Sequence, residues 1–392
     1  MAKKVLFVFH NATRTGAPIL LFSFLKWFRA NAGIPFLILV VEGGALQPDL
    51  AELASVWVWK RQLYGKRGLV GSAVHRFGLA GLSERMRHSV VAKRLADENI
   101  GLIYSNTAAN GEVLDALAGL RCPVICHVHE LEFSIRHYRS GLENFRKVVQ
   151  HTHHYIAASQ AVKDNLVRNH GISEKAVDVI HGFLPHQSHL AANEKSAERR
   201  LREQLNIPEK AFIVGASGST LWQKGPDLFV QLAHRLSQRP GKYPVHFLWV
   251  GGKTQGREVG SLLHDVKNLG LGERIHFIGA KSNPLDYFGL FDVFALVSRE
   301  DSFPLVMLEC ASLGKPIVCF AGSGGATEFV DDGCGSVVPY LDIEAMAERI
   351  WRLLESTSLR KTLGEEAAQK VHERHDILVT APKIVKIMER FL

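Results

Sequence analysis

The 392 residues suffice for two domains of ordinary size, and 46% hydrophobic with 22% charged residues supports packed cores rather than a disordered or fibrous chain. Apolar runs such as Phe36 to Val41 are too short to span a bilayer, and Val5 to Phe9 is too short for a signal peptide. Five cysteines without a paired CxxC give no disulfide framework, and the expected compartment is a reducing cytoplasm.

Val5 to Phe9 is the first expected strand, followed by a turn, Asn11 to Pro18, that opens an amphipathic helix through about Ala30, with Thr15 as cap. Gly16 in that turn lets the backbone approach a ligand. Strand-like runs recur at Phe36–Val41, Ser55–Trp59, Leu102–Tyr104, Val124–Val128, Tyr155–Ala158 and Val177–Ile180. Helical patterns separate most of them, so a mainly parallel sheet covered on both faces is expected. Residues 60–94 carry much of the net charge of +8, in Lys60, Arg61, Lys66, Arg67, Arg76, Arg85, Arg87, Lys93 and Arg94. With apolar residues interleaved, that stretch reads either as a face for an anionic membrane surface, at the inner side of the membrane, or as a solvated helical surface. No recognised nucleic-acid module is present, and nucleic acid is not an expected partner.

His127 and His129, two apart on a strand, point to one face. With Glu130 they are compatible with a metal pair lacking a third ligand at diagnostic spacing, or with a packed structural pair. His151, His153 and His154 read as surface or local packing. From Pro185 to about Lys210 the composition turns polar and charged, as a linker and lead-in helix. Phe212 to Ala216 then starts a second strand series, followed by the loop Gly218 to Gly225 and a helix from Asp227 to Leu236. Val245–Val250 and Ile275–Ile278 continue the series; Tyr287, Phe288 and Phe291 are expected in the core.

The densest signal lies between Phe291 and Glu328. An apolar strand, Phe291 to Val297, runs into Asp301; Pro304 suits the first position of a helix and Gly314 its stop. Glu309 lies inside that helix, roughly 7–8 Å along its axis. Two acids so spaced can hold hydroxyls on two sugar rings, and the free N–H groups between them can hold a phosphate. The bland alternative is an ordinary helix with a solvent-facing Glu. A second strand, Pro316 to Phe320, opens into a glycine turn, Gly322 to Gly325, ending in Glu328. In open α/β sheets, ligands bind on that side. Helices at Asp342–Leu354, Leu363–His375 and Val379–Leu392 complete the chain.

This stretch resembles the donor signature of retaining glycosyltransferase family 4, glycosyl transferases group 1. Asp301 and Glu309 match its two acids with seven residues between them, Gly314 and Pro316 its helix end, and Gly324, Gly325 and Glu328 its glycine turn. The loop at Gly218 resembles the family's Gly-Arg-x-x-x-x-Lys-Gly, with Lys224 kept and Ser219 at the arginine position. The resemblance implies an α/β, GT-B fold: two Rossmann-like doubly wound domains facing across a cleft, residues 1–185 on the acceptor side, a linker over 186–207, a nucleotide-sugar domain over 208–375, and a helix, 376–392, crossing back. It implies donor contacts at Gly16, Ser219, Lys224, Gly279, Lys281, Asp301, Ser302, Phe303, Leu305, Val306, Glu309, Gly324, Gly325 and Glu328. His129, Asp301 and Lys224 would act at the reaction centre, His129 facing the donor sugar. The implied activity is retaining, metal-independent transfer from a nucleotide-diphosphate sugar to a glycan or lipid-linked glycan, as in bacterial surface polysaccharide synthesis, with no cofactor. An epimerase or hydrolase on the same fold, or a non-catalytic glycan- or nucleotide-binding subunit, are the rivals.

Overall fold

The computed structural model describes residues 2–60, 90–137, 141–186, 195–330 and 333–392. Most of the basic stretch expected over 60–94 lies outside them. The chain divides into two compact units, Met1–His181 with Thr380–Leu392, and Gly182–Val379.

The first unit holds a parallel sheet of seven strands: β1 Lys4–Asn11, β2 Phe36–Glu42, β3 Val56–Lys60, β4 Ile100–Ser105, β5 Val124–Val128, β6 His154–Ala157 and β7 Val177–Val179. Their order is β3-β2-β1-β4-β5-β6-β7. The continuous apolar runs noted above are the central strands, buried on both faces as parallel sheets require. Phe7 anchors the core, with Phe24, Phe28, Phe36 and Tyr104 around it at centroid distances of 5.3–6.1 Å. Phe7, Phe24, Phe28 and Tyr104, the fully buried rings of this group, each contribute about 2–3 kcal/mol relative to exposure.

The second unit repeats the plan with six parallel strands: β8 Phe212–Ser217, β9 Val245–Val250, β10 Ile275–Phe277, β11 Val293–Leu296, β12 Ile317–Phe320 and β13 Gly335–Val338. Their order is β10-β9-β8-β11-β12-β13. Phe288 and Phe291 are buried, as expected, beside Phe294. Both units are thus doubly wound and Rossmann-like, and the sequence-based α/β expectation holds.

The boundaries fall at His181/Gly182 and Val379/Thr380. Residues around Leu184 stay with the second unit because Leu184 N donates to His375 O at 2.8 Å and Ile377 N donates to Leu184 O at 2.9 Å. The last helix, Ile377–Glu389, runs out of the second unit into the first. There Arg390 meets Asp178, and Phe391 lies 5.4 Å from the His154 ring. His154 is buried on β6 and bonds Asp178 at 2.9 Å, a local packing role.

Candidate functional site

β8 and β11 lie side by side at the centre of the second sheet, and their connections leave in opposite directions, to β9 and to β12. The crevice at such a switch point is where open α/β sheets hold ligands. The loop after β8 ends in a short turn, Trp222–Lys224, closed by Gly225 at φ 69°. A Cβ there would lie 2.2 Å from Val297 O, so only glycine lets the loop rest on the end of β11. That contact sets Lys224 Nζ 2.5 Å from Asp301 Oδ2. Ser298 Oγ donates to the same oxygen at 3.3 Å, and Asp301 is 8% exposed. Two acid/base residues 77 positions apart in sequence are therefore one half-buried ion pair.

The turn after β11 is laced to the glycine turn after β12. Asp301 N donates to Ser323 O at 2.7 Å, and Gly325 N donates to Asp301 O at 3.2 Å and Ser302 O at 3.1 Å, with Gly324 paired opposite Asp301. Pro304 sits at the N-cap, one residue earlier than expected, with ψ 117°; the helix is Leu305–Ser312. Among the described residues the amides of Leu305 and Val306 make no hydrogen bond. Free amides at a helix start attract anions. Phe303 is buried beneath the turn.

Glu309 projects from the same helix, and its carboxylate has no hydrogen-bond partner among the described residues. The residue keeps part of its surface open, yet protein crowds the carboxyl closely enough that burial pushes its pKa up to about 7. Glu309 thus stands between the bland solvent-facing reading and full burial. Glu328 lies half-buried in the first turn of the helix Ala326–Val330.

Ser219 is half-buried beside Gly218, against which the Lys224 stem packs. Neither Arg299, beside the signature, nor Arg14, in the first unit, is available to replace the missing guanidinium at 219. Arg299 grips Asp227 through two bonds of 2.8 and 2.7 Å and covers the Trp222 ring at 5.0 Å, while Arg14 pairs with Asp49. Gly279 O accepts from Gly251 N at 2.9 Å, stitching the β9 and β10 turns together. Lys281 is exposed, its ammonium 5.6 Å from the Tyr287 ring.

In the first unit the switch point lies between β1 and β4. Gly16 is the first residue of the helix Gly16–Asn31; Thr15 occupies the N-cap without a capping bond, its hydroxyl instead meeting Thr13 Oγ1 at 2.8 Å. Asn106, at the end of β4, ties this turn to His129. Its Nδ2 donates to Ala17 O at 2.8 Å, and its Oδ1 faces His129 Nε2 at 3.0 Å. The carbonyl at Ala17 fixes the amide orientation, so His129 carries its proton on Nε2. Burial first, then His10, lowers the His129 pKa to about 3, and the ring is neutral at working pH. His127 lies deeper, bonded to Tyr104 Oη at 2.8 Å, with its ring 4.1 Å from that of His129. Glu130 turns its carboxylate to Thr107 Oγ1 and to the amides of Ala108 and His129, away from both imidazoles. Asn106 falls in Ser105–Thr107, which the sequence marks as a polar strand end at a cleft edge. Ser298 carries site geometry that the sequence reading did not single out; its only signal is a polar residue at the end of an apolar strand.

The family model described as Glycosyl transferases group 1 matches residues 197–370, and that described as Glycosyltransferase Family 4 matches 59–188. Among curated proteins, the chain is 26% identical over 247 residues to N,N'-diacetylbacillosaminyl-diphospho-undecaprenol alpha-1,3-N-acetylgalactosaminyltransferase of Campylobacter jejuni, covering 61% of each. It is 23% identical over 301 residues to N-acetyl-alpha-D-glucosaminyl L-malate synthase of Bacillus anthracis, covering 73% of this chain and 74% of that one. It spans 51–61% of the length of the first three curated relatives. A structure of Anabaena Alr3699/HepE in complex with UDP and glucose shares the fold with TM-score 0.81 at 23% identity, covering 99% of both chains. WaaG, a glycosyltransferase involved in lipopolysaccharide biosynthesis, shares it with TM-score 0.71 at 13% identity, covering 98% of this chain and 99% of that one. With both family models matched along most of its length and two Rossmann-like units in series, the chain belongs to the group 1 glycosyl transferases of family 4, with the GT-B fold.

Proposed function

We propose that this chain transfers a sugar from a nucleotide-diphosphate sugar to a hydroxyl of a glycan or lipid-linked glycan, with retention at the anomeric carbon. The observation that carries the reading is the second unit's switch point. One cation, Lys224, two free amides and an unpartnered carboxylate, Glu309, sit on adjacent turns there. Those are the groups that a diphosphate and a ribose require. The names of the relatives and the UDP-bound structural neighbours support the same substrate classes.

Lys224 and the amides of Leu305 and Val306 would stabilise the departing diphosphate by fixed positive potential. Asp301 would accept sugar hydroxyls, and Glu309 and Glu328 would position the donor. Attack from the leaving-group face, with the departing phosphate oxygen taking the acceptor proton, needs no carboxylate nucleophile. His129 would act as a neutral hydrogen-bonding group. Synthesis of bacterial surface glycans is the setting the relatives' names suggest, and the cytoplasmic side of the membrane is part of the proposal. Among the described residues no helix is long and apolar enough to cross a membrane.

The test is a thermal-shift panel of nucleoside diphosphates, since a ligand bound only by the folded state raises its apparent stability. Product analysis of the matching nucleotide sugar with and without glycan acceptors follows. Sugar consumed without acceptor would point to a hydrolase or epimerase. Ser219, where the family carries an arginine, favours one further reading, a subunit that binds a donor without turning it over. Binding without product across acceptors would establish it.

A further inference from the structure

Beneath the two candidate donor turns lies a buried imidazole that the proposed chemistry does not use. His375 is 4% exposed. Its ring stacks on Phe303, from the turn after β11, at 5.4 Å and 25°. It meets Phe329, from the helix that follows the glycine turn, edge-on at 5.5 Å. Its Nδ1 lies 2.9 Å from Gly182 O; a carbonyl only accepts, so Nδ1 carries the proton and the ring plane is fixed. Gly182 itself is wedged under the same turn. A Cβ there would lie 2.9 Å from Leu305 Cδ2 and 3.2 Å from Phe303 Cδ1.

We propose that His375 is a positioning residue for donor binding, setting the heights of both turns by wedging one ring between Phe303, Phe329 and the Gly182 carbonyl. The inference rests on the glycosyl-transfer reading above. The physical reason is that amides hold a phosphate only within a few tenths of an ångström. The bonds that lace this turn to the glycine turn sit at Asp301 and Ser302, and Pro304 has no N–H to add one closer to Leu305 and Val306. The support comes from below, through Phe303. It is joined to the points where the chain enters this unit at Gly182 and leaves it after Val379. Leu184 and Asp376, on those two segments, pair as neighbouring strand residues.

The test compares His375→Ala, His375→Phe and His375→Gln with the parent chain. Affinities for uridine diphosphate and uridine monophosphate are measured by titration calorimetry, and melting temperature is recorded alongside. If the parent chain prefers another base in the thermal-shift panel, the diphosphate and monophosphate of that base are used. The diphosphate should bind about tenfold more weakly to His375→Ala, with monophosphate affinity within about twofold of the parent. His375→Phe, which keeps the ring, should recover most of the loss; His375→Gln, which keeps only a donor for Gly182 O, should not. A merely structural role lowers the melting temperature and leaves both affinities of the folded protein alike. Equal losses for both nucleotides, or none, overturn the proposal. A parent chain that binds no nucleoside diphosphate overturns the underlying reading first. Should His375→Ala not fold, the Phe and Gln pair carries the comparison.

Discussion

Glu309→Gln tests the carboxylate at the centre of the candidate site through its proton. Burial lifts this group from 4.5 to about 7, which corresponds to about 3 kcal/mol of ionisation cost. Partial exposure screens the charge and brings the expected effect to about 2 kcal/mol. The folded state holds this proton more tightly than the unfolded chain does. The stability that Glu309 contributes is therefore complete below pH 4.5 and is lost as pH rises through about 7. Gln cannot ionise and is nearly the same size. The variant should melt about 4–8 °C higher than the parent at pH 8, and only about 1–2 °C higher at pH 5, where the unfolded carboxyl has begun to ionise. Differential scanning calorimetry at both pH values makes the comparison, and other titrating groups cancel between the two proteins.

The same proton reports on ligand. Ribose hydroxyls donating to Glu309 favour its ionised form, so donor binding at pH 7 should release up to about half a proton. Calorimetric titrations in buffers of different ionisation enthalpy measure that release, and Glu309→Gln should abolish it. An equal melting shift at pH 5 and pH 8 would refute the buried-carboxylate argument. Ligand binding with no proton release would leave the carboxylate buried but remove its contact with the ligand.

Three further variants have expected outcomes. Lys224→Met should weaken nucleoside diphosphate binding at least tenfold and cost about 1–3 kcal/mol in a urea melt, because among the described residues the Asp301 carboxylate then keeps only the Ser298 hydroxyl; Asp301→Asn should weaken diphosphate binding less, about twofold to threefold through the lost ordering of Lys224, while reducing turnover. His129→Ala should lower turnover with little change in nucleotide affinity, and the parent's pH–rate profile should show no inflection from His129, whose pKa of about 3 keeps it neutral throughout the assay range.

The fold was legible because parallel strands buried on both faces write themselves as unbroken apolar runs, such as Phe36–Val41 and Val245–Val250. β13 escaped because Gly335-Ser-Val-Val338 is short and begins with residues that disfavour strands. The signature acids and the glycine turn were legible by spacing, since both lie on consecutive turns of one sheet. What the sequence could not express was pairing across distance. Nothing near Lys224 announces that it meets Asp301, and nothing in the sequence around Arg299 announces that Asp227 holds it. Likewise His375 sits at the end of an ordinary helical pattern, and only packing reveals Phe303 and Phe329 on either side of it.

The Lys224–Asp301 pair also bears on the replaced arginine. With Ser at 219, and with Arg14 and Arg299 engaged elsewhere, Lys224 is the one signature cation positioned at this switch point among the described residues. Without a ligand its charge is spent on Asp301, which holds the ammonium in place and so lowers the entropy cost of ordering it later. On the proposed reading, a donor diphosphate arriving at the Leu305 and Val306 amides gives Lys224 a second anion to bridge. Asp301 can then turn lone pairs to the sugar hydroxyls while Ser298 keeps it oriented. The two roles assigned to Asp301, partner of the lysine and acceptor for the sugar, conflict only in the empty site. A donor that carries both a diphosphate and a hydroxylated ring resolves them together, whereas a free diphosphate or a free sugar meets half of the arrangement.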